Sequence, residues 1–239
     1  CSPAVAEAIK ETYGKVRFFD GKLCDARFYK AWGGVTEYFE NCWEEVHHPY
    51  LVPVKDDLDD QAIPNLTDEK ECEKWLLSAP KSFCNTTDKA VLSEVLNNYD
   101  QETPDFYRWQ VEYSQEDLTE LVRRKSGVDF GVITDLIPKK RGASGRIIEL
   151  EIVGANKRMI VGKELEIRKY LSPSHLYSSA FIVKKTERDG KLFFVLNGAG
   201  WGHGVGLCQI GAAVMAHQGY NHIQILNHYY PNAEIKKIY

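Results

Sequence analysis

Residues 197–220, NGAGWGHGVGLCQIGAAVMAHQGY, carry an indole (Trp201), an imidazole (His203) and a carboxamide (Gln209) on a backbone with glycine at every second position from Gly198 to Gly206. Indole, imidazole and amide together can contact a neutral, hydroxyl-rich or amide-bearing ligand; they suit phosphate less well. The glycines are costly, since each in a strand interior loses roughly 0.5–1 kcal/mol relative to alanine. A period of two is the strand period. One face of the ribbon is therefore bare, and either another group approaches it closely or the backbone bends there. The other face carries Asn197, Ala199, Trp201, His203 and Val205.

The period then changes. Leu207, Ile210, Gly211, Val214 and Met215 fall at helical spacing, and Gly219 fits the stop. The unit reads as a glycine-rich strand, a tight turn and a helix, whose first N–H groups would face whatever occupies the turn. A phosphate-binding P-loop needs Gly-Lys-Ser/Thr, which is absent, and the spacing does not match a dinucleotide fingerprint. At the centre of what would be a nucleophile elbow stands His203, not serine. Two readings stay open: a ligand-facing cleft wall, or a tight structural turn around a buried His203.

The elements that must carry this unit read as short helices dispersed among short strands, an α+β fold. A helix is expected from Pro3 to Gly14, then a hairpin at Asp20-Gly21. The acidic stretch 55–64 is expected to be a loop. Helices follow at 68–78, capped by Thr67, at 86–99, and at 115–126 between the Ser114/Asp117 capping box and Gly127. Residues 106–113, 132–138, 146–153 and 157–161 have strand character, 162–171 helical character, and Asp189-Gly190 turns a second hairpin.

The chain has 239 residues, 44% hydrophobic and 27% charged, which suits one large domain or two small ones. A net charge of −4 argues against a nucleic-acid partner. No apolar run approaches membrane-spanning length. The chain begins at Cys1 without a visible signal peptide, which reads as a processed or truncated product. Six cysteines without a C-x-x-C pair leave two alternatives: disulfides such as Cys24–Cys42 or Cys72–Cys84 in an exported protein, or buried free thiols. His47-His48 before Pro49 reads as an exposed turn. No cofactor and no metal are expected.

Several segments together resemble the sporulation stage II protein D family, also called the SpoIID/LytB or amidase-enhancer domain. The glycine block through ILNHYYP is similar to its C-terminal signature. AVAEAIKETYGKV, FYKAWGGVTE, CWEE and HPYLVPVKD are similar to its middle block, whose hallmark turn is here Gly33-Gly34-Val35-Thr36. LEIRKYLSPSHLYSSAFIV is similar to the segment between them. The resemblance treats residues 1–239 as one such domain lacking an N-terminal segment, with 55–150 the variable part. It implies a bacterial, extracytoplasmic protein that acts on peptidoglycan strands, either as a lytic transglycosylase that closes a 1,6-anhydro ring or as a non-enzymatic module that enhances a cell-wall amidase.

The resemblance also implies a catalytic Glu in a Glu-Met context and, in some members, zinc ligands, all upstream of the first matching block. Neither Met159 nor Met215 follows a Glu, so neither feature is transferred. What carries over is a cleft wall: Gly33, Gly34 and Thr36 on one side, with Trp201 to stack on a sugar and His203 and Gln209 to bond its substituents on the other. Glu37 is the carboxylate nearest these motifs and the remaining candidate acid. Arg168 and His175 lie near the site or satisfy core polar groups.

Overall fold

Two Asp-Gly pairs set the first and last hairpins. Asp20 (φ 47°) and Gly21 (φ 72°), like Asp189 (φ 51°) and Gly190 (φ 71°), put both turn residues in the left-handed region, the two-residue turn whose twist matches the flanking strands. The computed structural model describes residues 3–59, 62–96 and 105–239. Cys1, part of the expected acidic loop (60 and 61) and the end of the helix expected over 86–99 lie outside the described residues.

In chain order, α1 (Pro3–Thr12) leads into β1 (Lys15–Phe19), β2 (Lys22–Leu23) and β3 (Phe28–Tyr29), followed by α2 (Glu69–Leu77) and α3 (Lys89–Val95). Then come β4 (Arg108–Ser114), α4 (Gln115–Ser126), the meander β5 (Ile133–Arg141), β6 (Ile147–Gly154) and β7 (Arg158–Val161), and α5 (Glu164–Tyr170). The last part is β8 (Phe181–Arg188), β9 (Lys191–Ala199), β10 (Leu207–Cys208), α6 (Gln209–His217), α7 (His222–Tyr229) and β11 (Glu234–Lys237). The protein is α+β. Three antiparallel sheets, β11-β1-β2, β4-β9-β8 and β5-β6-β7, are joined by one short parallel pair, β3 with β10.

Local chemistry explains most boundaries. The Ser114 hydroxyl accepts from the Asp117 amide, 3.1 Å, and Gly127 closes α4 at φ 71°. α2 starts one residue later than its expected cap. Asp68 accepts from the Lys70 and Glu71 amides, while Thr67 donates to Asn65 Oδ1. A carboxylate at the helix start both takes the orphan N–H groups and complements the dipole, so it outcompetes the neighbouring hydroxyl.

Two main cores result. Leu118, Val122, Ile133, Ile147, Leu150, Ile152, Phe181, Phe194 and Leu196 pack α4 and α5 against the two larger sheets. Tyr29, Trp32, Phe39, Phe106, Cys208, Ile210 and Tyr229 form an aromatic core beneath the glycine block. Each large side chain so buried contributes on the order of 1.5–3 kcal/mol. Arg141 ties α2 to β5 through two 2.6 Å hydrogen bonds to Glu69, so part of the variable stretch is fixed to the sheet.

Gly198 sits where β9 passes under Trp109. A Cβ there would lie 2.2 Å from the indole Cζ2. Gly198→Ala should therefore lower stability by about 1–3 kcal/mol through overpacking. Urea unfolding reads this as a lower midpoint at unchanged slope, and an unchanged midpoint would refute the close packing.

Candidate functional site

The glycine block does not continue as a strand. β9 ends at Ala199, and Gly200, Gly202, Gly204 and Gly206 all take positive φ, from 73° to 113°. Gly200 N–H bonds to Tyr107, and Trp201 crosses to pair with Ala31 through N–H···O bonds of 2.8 and 3.2 Å. The alternation predicted from period two survives in another form. The glycines are buried, the alternate side chains Trp201 and His203 are partly exposed and Val205 is buried in the core, until Leu207 and Cys208 join β3.

What approaches the bare face is the protein itself. At Gly204 a Cβ would fall 2.4 Å from the Arg146 guanidinium carbon. Arg146 is 1% exposed. Its Nε and Nη2 donate to the Gly202 carbonyl at 3.2 and 3.1 Å, and its Nη1 to Ser144 Oγ at 3.1 Å. The Ser144 hydroxyl donates to Glu37 Oε2 at 2.6 Å. Glu37 also accepts from the Tyr38, Ala143 and Ser144 amides and from Asn41 Nδ2. The Glu37 amide in turn donates to Gly204 O at 2.7 Å. A buried charge pair, relayed through one hydroxyl, thus holds the loop from below.

This corrects the expected cleft. Glu37 is fully buried with five donors on its carboxylate, and a Cβ on Gly142 would meet it at 2.2 Å. It is a structural fastening and is sealed from any external ligand. Gly33, Gly34 and Thr36 are buried as well. Gly33 (φ 76°) packs against Ala199 and Gly200, and Gly34 (φ 117°) lies under the Trp75 indole. Thr36 Oγ1 donates to Val52 O and accepts from Val54 N. These residues form the floor of the loop and not a facing wall, because the positive φ of Gly33 lets its backbone touch that of Gly200. Arg168 is spent on Leu176 O and on Glu164, 3.1 Å away. Glu164 is buried, and desolvation raises its pKa against the opposing pull of Arg168.

Trp201, His203 and Gln209 are the members of the set that reach the surface, each partly exposed. Phe106 stacks on the Trp201 indole (centroids 5.2 Å, 27°), and Lys30 Nζ lies 4.3 Å from its centre. His203 sits between Tyr29 (4.9 Å) and Trp43 (4.6 Å), and its Nδ1 accepts from the Val205 amide. Burial, then the charges of Arg146 and Arg168, push its pKa down to about 3. The imidazole is neutral at ordinary pH, with its proton on Nε2.

The rim continues into residues that sequence reasoning passed over as a hairpin arm. Phe28 is 61% exposed, and the Arg27 guanidinium lies 4.4 Å from the Trp43 ring centre. Phe28 is exposed, and Lys30, Trp43, Trp201 and Gln209 are each partly exposed, which adds flat apolar faces and cationic or amide heads around β3 and the loop. The alternation of aromatic and basic residues in DARFYKAW was the available signal.

Of the two alternatives left open for the cysteines, the Cys24–Cys42 and Cys72–Cys84 disulfides do not form. Cys24, Cys42, Cys72, Cys84 and Cys208 are free, and all but Cys24 are buried. Cys42 donates to His203 O and Cys72 to Gly145 O, so their tertiary neighbours are carbonyls of the loop and sheet.

Residues 37–206 match the family described as a domain of unknown function (DUF8618). The chain is 25% identical over 242 residues to the amidase enhancer of Bacillus subtilis (strain 168), covering 96% of this chain and 32% of that protein. It is 26% identical over 234 residues to stage II sporulation protein D of Bacillus amyloliquefaciens, covering 98% and 51% respectively. The chain belongs to the DUF8618 family and resembles the SpoIID family over nearly its whole length. It spans between about a third and a half of the length of these relatives. No helix among the described residues is long and apolar enough to cross a membrane.

Because His203 is uncharged in the fold and titrates near its ordinary 6.5 when unfolded, its contribution to stability is fully present above pH 6.5 and is lost as pH falls towards about 3. His228, held down to about 4, acts in the same direction. His203→Asn should flatten the wild-type decline in unfolding free energy between pH 6.5 and 4. Equal slopes in the two proteins would refute the neutral imidazole.

Proposed function

We propose that this domain holds a peptidoglycan glycan strand along the strip formed by Phe28, Lys30, Trp43, Trp201 and Gln209, outside the cytoplasmic membrane. The observation that carries this is the division of the glycine block into a rigid buried floor and a partly exposed aromatic–cationic rim. Flat rings suit the apolar faces of sugar rings. Lys30 and Arg27 suit the carboxylates that peptidoglycan carries on its lactyl and peptide groups, and Gln209 suits hydroxyl and N-acetyl groups. Gly33, Gly34, Thr36 and His203 serve this site by shaping the loop.

The reaction class implied by the family resemblance is cleavage between MurNAc and GlcNAc with closure of a 1,6-anhydro ring. It needs a carboxylic acid that first protonates the leaving oxygen and then accepts the proton of the 6-hydroxyl. Glu37 and Glu164, the buried acids beside the loop, are committed to internal donors, so the strip is assigned binding and positioning only. That same commitment favours a second reading, a non-enzymatic module that presents glycan to a cell-wall amidase. The name of the Bacillus subtilis relative points the same way.

Titration of residues 1–239 with denuded glycan strands, followed by mass spectrometry of the mixture, tests both. Binding is expected without anhydro-ended products. Trp201→Ala should weaken it by about 1 kcal/mol, several-fold, with the fold intact. Full affinity in Trp201→Ala and Lys30→Ala together would sink the strip, and anhydro-ended products would overturn the commitment of the two acids. Stimulation of an amidase by wild type but not by these variants would select the second reading.

A further inference from the structure

Cys84 and Cys208 are remote in sequence but adjacent in the aromatic core. Their sulfurs and an oxygen of Asp56 lie within 4.8 Å of one another, and all three residues are buried. We propose that Cys84 and Cys208 are a disulfide-forming pair, oxidised as the chain folds in an extracytoplasmic compartment. This rests on the location in the proposed function, not on glycan binding.

The surroundings fit the oxidised form. Asp56 needs neither thiol, since it accepts from Ser82 Oγ (2.7 Å), the Cys84 amide (2.7 Å) and Tyr229 Oη (2.8 Å). Lys30 O, which receives the Cys208 S–H at 3.6 Å, also accepts the Ile210 amide at 3.2 Å. Cys208 Sγ accepts the Gly211 amide at the start of α6, and a disulfide sulfur keeps that lone pair. Losing both S–H protons therefore leaves no buried polar group unpaired. Asp56, Cys84 and Cys208 supply only three of the four ligands of a structural zinc site, and the Asp56 oxygens are already engaged.

The chemistry is thiol–disulfide exchange. One cysteine thiolate attacks an external disulfide and releases its thiol, and the second cysteine then displaces the other thiol, so that two electrons pass from the cysteine pair to the reagent and both cysteine protons are released. In the folded state burial pushes the Cys208 thiol well up, which starves it of thiolate. Exchange therefore belongs to folding, before the core closes. The bond would tie the segment before α3 to the residue that both ends the glycine loop and caps α6.

The test refolds the reduced full chain in glutathione and glutathione disulfide, alkylates it in denaturant and maps the peptides by mass spectrometry. The expected result is a Cys84–Cys208 link with the other four of six cysteines alkylated. Reductant should lower the melting temperature of wild type but not of Cys208→Ser, whose hydroxyl still caps α6. Alkylation of all six cysteines, a link between any other pair, or one equivalent of zinc whose removal frees these two thiols would each overturn the proposal. Glycan binding, measured on the same refolded sample, fails or survives independently of the link.

Discussion

The buried guanidinium of Arg146 is the constraint from which the glycine block follows. A fully desolvated cation is tolerable only if its donors are satisfied and a counter-charge is near. Gly202 O and Ser144 Oγ take the donors, and Glu37 supplies the charge through the Ser144 hydroxyl. The loop must then approach a planar cation so closely that no side chain fits at Gly204. The glycines are there for the protein's own interior, and the partly exposed side chains of Trp201 and His203 are carried between them.

Floor and rim do different work. The floor, from Gly33 to Glu37 and from Gly142 to Arg146, is rigid because its polar groups are paired within the fold. The rim, formed by Arg27, Phe28, Lys30, Trp201, His203 and Gln209, consists of side chains that at least partly meet solvent. A site built this way loses little conformational freedom on binding. It also explains why the acid nearest the motifs is unfit for proton transfer to a ligand. Every hydrogen bond that stabilises the Glu37 carboxylate also shuts it in.

His203 joins the two layers. Its ring packs between Tyr29 and Trp43, and its Nδ1 fixes the turn through the Val205 amide. Burial first, then neighbouring Arg146 and Arg168, penalise a charged imidazole, so the residue behaves as a shaped neutral spacer across the physiological range. The alternative of a structural turn around His203, left open by the sequence, describes its inner edge well. The partly exposed outer edge belongs to the rim.

Local information was enough for much of the scaffold. Asp20-Gly21, Asp189-Gly190, Ser114 with Asp117, and Gly127 determined their hairpins and caps because turn and cap chemistry acts within four residues. The glycine period showed that something had to approach the ribbon closely. It could not show whether that was a sugar or Arg146, because the partner is remote in sequence. The same limit hid the approach of Cys84 to Cys208, the burial of the Gly33-Gly34-Val35-Thr36 turn, and the joining of Phe28 and Lys30 to Trp201. Each depends on which surfaces the aromatic core draws together, and desolvation and packing act through space without regard to position along the chain.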